Sequence, residues 1–140
     1  MSILYTAAQA ALLECQQSAR SLYDRYQHAL DKLMPEGEGR VLLHERRDEL
    51  GAQLERLHSL IEAEGLLPRD GETELGDLKQ LADRFQRWID DESTRLLFQR
   101  FAEAERAFQA DLRQARAEGV ALTDQMEQSA ARMAERLIDS

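Results

Sequence analysis

A single cysteine, two prolines, one tryptophan and two lysines in 140 residues put several classes of protein out of reach. One thiol closes no disulfide within a chain, so no cross-linked scaffold is available. So few prolines, with few residues that favour strands, leave long stretches free to run as helix, and the expected class is all-α. No apolar run approaches the roughly 18 residues that a membrane-spanning helix needs, and no membrane role is expected. Positive charge is scarce as well. The 27 carboxylates outnumber the 18 Lys and Arg for a formal charge of −9, and the arginines are scattered among the acids rather than gathered on one face. Such a surface repels a phosphate backbone, so nucleic acid is not expected as a partner. The first 13 residues carry no side-chain charge. No basic segment leads into them and their pattern continues into charged sequence, so they read as the start of a mature helix in a cytoplasmic protein rather than as an export signal.

What the chain has in quantity is helical periodicity. Leu4, Ala8, Ala11, Cys15, Ala19, Leu22, Tyr26, Ala29 and Leu33 follow one another at steps of three and four residues. The average step of about 3.6 places them in one narrow stripe on a helix of roughly eight turns, from about residue 3 to 33. A helix of that length cannot cover such a seam alone and requires partner helices alongside. Pro35, Gly37 and Gly39 end it. A second helix over about 40–64 carries Leu43, Leu50, Leu54, Leu57 and Ile61, with Leu60 widening the face and Gly65 placed for a left-handed C-cap. The short break between the two makes them a hairpin. Residues 66–74, with Pro68 and Gly71, form a connector, and Leu75, Leu78, Leu81, Ala82, Phe85, Trp88 and Ile89 give a short amphipathic helix over about 75–89. Asp90-Asp91-Glu92-Ser93 suits the start of another, because acidic residues and a Ser or Asp cap favour the positive end of a helix. That helix, about 94–118, turns Leu97, Phe101, Ala104, Phe108, Leu112 and Ala115 inward. Gly119 is placed to cap it, and Thr123 opens a last helix over about 123–138 whose inner side is Leu122, Met126, Met133 and Leu137. The whole of 1–140 forms one domain with a second hairpin at its end.

Hairpin, long crossover with its own short helix, hairpin: this is the connectivity of the ferritin-like fold. Over most of its length, from Gly65-Leu66-Leu67-Pro68 through Gly76-Asp77-Leu78 to Trp88 and then the acidic helix around Glu103 and Glu105, the chain resembles a small bacterial ferritin-like family of unknown function. The resemblance implies an antiparallel four-helix bundle of two hairpins with a short crossover helix between the second and third bundle helices. It also raises the question of a di-iron or di-manganese centre, which members of the fold build from two Glu and two Glu-x-x-His motifs projecting inward.

One such tetrapeptide occurs, Glu55-Arg56-Leu57-His58, and no histidine follows His58. In the last helix the corresponding stretch is Glu127-Gln128-Ser129-Ala130, so half the nitrogen ligands are missing. Helix geometry weakens the surviving half. With the second stripe centred near Leu54 and Leu57, His58 falls about 75° away and Glu55 more than about 100° away. On the first helix Glu14 and Asp24 fall to the side, and Gln16 is nearest the family's usual Glu. Glu105 is the one carboxylate near the centre of its stripe, four residues after Phe101 and three before Phe108. It is either a metal ligand or the partner of a Tyr, an Arg or water at the bundle edge. Glu55, His58 and Glu105 are thus the candidate metal ligands, with iron or manganese as the candidate cofactor; the leading expectation is that no cofactor is bound.

Elsewhere the chemistry is sparse. Cys15 lies on the apolar stripe and reads as a small buried hydrophobe rather than a redox thiol. His28 and His44 fall on charged flanks, and neither a phosphate loop nor a nucleophile motif is present. The uncharged start, Ile3, Leu4, Tyr5 and Ala8, belongs to a first helix of about 45 Å, against about 25 Å for the last. An uncharged overhang of this kind is the expected interface of a homodimer. The function expected is that of a non-enzymatic bundle serving as a structural or protein-interaction module. The alternatives are a metal-binding ferritin-like protein with an incomplete or intersubunit site, and a helical adaptor or chaperone for a larger protein.

Overall fold

A computed structural model describes residues 5–32, 37–67, 91–122 and 124–139. Among the described residues there are four helices and no strand: α1 (Ala7–Lys32), α2 (Glu38–Ala63), α3 (Asp91–Ala117) and α4 (Asp124–Asp139). The expected crossover helix with Phe85, Trp88 and Ile89, the residues Ile3 and Leu4, and the expected cap Thr123 lie outside the described residues.

The first helix starts at Ala7 rather than near residue 3, and the cause is local. The Gln9 N–H donates to Thr6 Oγ1 and the Thr6 N–H donates to Gln9 Oε1, each at 3.0 Å. This reciprocal capping box makes Thr6 the residue at which the backbone turns out of the helix. At the far end of α2, Gly65 has φ +72°, the Leu66 N–H reaches the Ile61 carbonyl at 3.0 Å and the Gly65 N–H reaches Glu62 at 2.9 Å. The same pair of bonds closes α3 at Gly119, with φ +94°, through Val120 to Ala115 and Gly119 to Arg116. Both are Schellman caps, in which a left-handed glycine lets the chain leave while Leu66 or Val120 folds back onto the core. α3 begins at Asp91, three residues before the expected start.

α1 is the central helix, packed on both α2 and α3, and α3 in turn carries α4. The α1–α2 contacts run in opposite order along the two helices: Gln9 meets Glu64, Gln27 meets Arg47, and Arg40 donates to the Leu30 carbonyl. The α1–α3 contacts do likewise, Cys15 and Ser18 meeting Asp111 while Tyr26 meets Glu105. Because α1 faces two neighbours, its buried surface is wider than a single seam. Leu12, Leu13, Gln16, Ser21 and Leu30 are buried together with Ala11, Cys15, Ala19, Leu22, Tyr26 and Ala29. The small residues let both partner backbones come close. Gln9 lies within reach of Glu64, so the first turn of α1 has the end of α2 beside it. Tyr5 remains exposed and Ala8 is half-buried. α3 and α4 are joined by Arg116, which pairs with Asp124 and Glu127, and by Arg113, which reaches Glu127.

Gly51 sits within α2 where Tyr23 of α1 crosses, and a Cβ there would lie 3.4 Å from Tyr23 Cε2, an ordinary contact distance. Gly51→Ala is therefore expected to raise stability by about 0.5–1 kcal/mol through helix propensity. Gly65→Ala, which forces a left-handed Cβ, is expected to lower it by about 1 kcal/mol or more. Denaturant unfolding of the two variants checks both signs.

Candidate functional site

The apolar stripe of α2 has a gap. Between Leu43 and Leu50 the inward position, three residues after one and four before the other, is occupied by Arg46. On α3 the corresponding polar interruption is Glu105, and on α1 it is the hydroxyl of Tyr26. The structure brings these three together in the bundle interior. Tyr26 and Glu105 are fully buried and Arg46 is 3% exposed. Arg46 donates to Glu105 twice, Nη2 to Oε1 and Nε to Oε2, both at 2.7 Å. The Tyr26 hydroxyl donates to Oε2 at 2.7 Å. The third nitrogen of Arg46, Nη1, turns toward the solvent side and pairs with Glu49. Tyr26 is fixed from its other face by Phe101, stacked at a centroid distance of 4.4 Å and 15° between planes.

This geometry satisfies a charge that would otherwise be prohibitive to bury. Burial pushes the Glu105 carboxyl above its ordinary range, while Arg46 and then the Tyr26 hydroxyl pull it back. Burial also disfavours the charge on Arg46, but its bonds to Glu105 outweigh that and hold the guanidinium more firmly protonated than usual. Tyr26, buried beside a carboxylate, is pushed well above its ordinary value and stays a neutral donor. Both oxygens of Glu105 are thus engaged, one by a guanidinium nitrogen and the other by a second such nitrogen and a phenol.

The candidate ligands are not gathered around a common point. Glu105 meets α2 at Arg46, nine residues before Glu55 and twelve before His58, about 14 and 18 Å along the helix. Glu55 is exposed. His58 is half-exposed, and its Nε2 lies 2.9 Å from Glu62 one turn on. Gln16 is buried and engaged in a hydrogen bond or electrostatic contact. Glu105 meets a Tyr and an Arg, as one of its two readings anticipated, but in the interior rather than at the bundle edge. Among the described residues no group of three or more His, Cys, Asp or Glu is arranged to hold a metal ion. Arg46 was absent from the candidate residues. The signal for it was the seven-residue step from Leu43 to Leu50 with no apolar residue at the inward position between.

A second junction joins α1 to α3. The Ser18 hydroxyl donates to Asp111 Oδ2 at 2.5 Å, and the Cys15 thiol donates to the Asp111 carbonyl at 3.2 Å. Burial, reinforced by the charges of Asp111 and Glu14, pushes the Cys15 thiol up to about 12. A thiol so protonated and so enclosed is neither nucleophile nor metal ligand at neutral pH.

No protein-family model, curated protein or solved structure matches the chain.

Two outcomes follow from these junctions. Arg46→Met, which strands the Glu105 carboxylate, is expected to cost about 3–5 kcal/mol, whereas the triple replacement Tyr26→Phe, Arg46→Met, Glu105→Leu is expected to be much less costly because no polar group is left unpaired. Chemical denaturation of the single and triple variants compares them. Cys15 is expected to resist Ellman's reagent at pH 8 in the native protein and to react at once in denaturant, so that the native labelling rate reports the opening of α1 from α3.

Proposed function

We propose that this chain is a non-enzymatic bundle of ferritin-like connectivity, built from two antiparallel hairpins, whose interior is organised by an ion pair where its metal-binding counterparts carry a metal pair. It works as a structural or protein-interaction module, as a homodimer in the cytoplasm. One observation carries the reading: the inward carboxylate Glu105 is bonded through both oxygens to Arg46 and Tyr26. A di-iron or di-manganese centre needs inward carboxylates whose lone pairs are open to hard cations. Here a guanidinium already sits at hydrogen-bond distance, and its charge opposes any second cation at the same place. The residues therefore do not fit a metal pair, and no chemical step is assigned to one. The opposed order of contacts along α1, α2 and α3 supports the hairpin arrangement. The homodimer draws support from the uncharged start of the chain, where Tyr5 presents a ring that is 40% exposed.

Purified protein incubated with Fe(II) or Mn(II) and then desalted is expected to retain less than about one tenth of an equivalent. A stoichiometric metal that disappears in Glu105→Gln contradicts the reading. Sedimentation over a concentration series is expected to show a dimer that dissociates on Tyr5→Glu; a monomer at every concentration removes the homodimer.

A further inference from the structure

We draw no further inference here: the strongest candidate, the side-chain oxygen Oε1 of Gln53, buried without a hydrogen-bond partner on α2 between Leu50 and Leu57, does not line the cleft between α2 and α4, and nothing in the structure shows what would reach it.

Discussion

The bidentate contact between Arg46 and Glu105 is the constraint around which the bundle is arranged. Each of the three long helices contributes one polar group to a single interior point: Tyr26 from α1, Arg46 from α2 and Glu105 from α3. Apolar faces alone tolerate small slips and rotations, because leucine against leucine is nearly as favourable one step along. Two parallel charge-assisted bonds and a phenol hydroxyl do not, since each lost bond leaves a buried polar group unsatisfied. The pair is a poor source of net stability, given what it costs to desolvate both ions, and a strong selector of register.

The rest of the packing serves that point. Ala11, Cys15, Ala19 and Ala29 give α1 a face of low relief, so that α2 and α3 both approach it closely enough for side chains to meet in the middle. Phe101, one turn before Glu105 on α3, stacks on Tyr26 and fixes the direction of its hydroxyl. Further polar ties flank the interior pair, Ser18 to Asp111 on one side and Gln27 to Arg47 on another, with Arg116 joining α3 to α4. The chemical consequence is that Tyr26, Arg46 and Glu105 are engaged with one another. Among the described residues, His28 Nε2 and Gln53 Oε1 are buried without a hydrogen-bond partner.

Much of this was legible in the residues, and what was not has a physical cause. Gly65 and Gly119 announced their caps because a left-handed residue after a periodic segment has few other uses. The buried sides of α1 and α3 followed from spacing, and Glu105 stood out as inward because it lies between Phe101 and Phe108. Its partner did not. Arg46 is followed by Arg47 and surrounded by Glu45, Asp48 and Glu49, and a charge among charges reads as surface. Only the break in the leucine series of α2 marks the site, and it gains meaning once a buried carboxylate is known to need a cation. The start of α1 was misplaced because the apolar pattern runs on through Leu4 and Ala8, whereas the helix begins at the Thr6–Gln9 capping box. A seam does not report where its helix starts; a cap does.

Hydrogen exchange at the Arg46 Nε–H, followed by ¹⁵N NMR, tests the central claim most directly. If this guanidinium is locked inside the bundle on Glu105, its proton exchanges as slowly as the core amides of α1 and α3, and the slow signal is lost in Glu105→Gln. A proton that exchanges as fast as that of the exposed Arg132 on α4 would contradict the account.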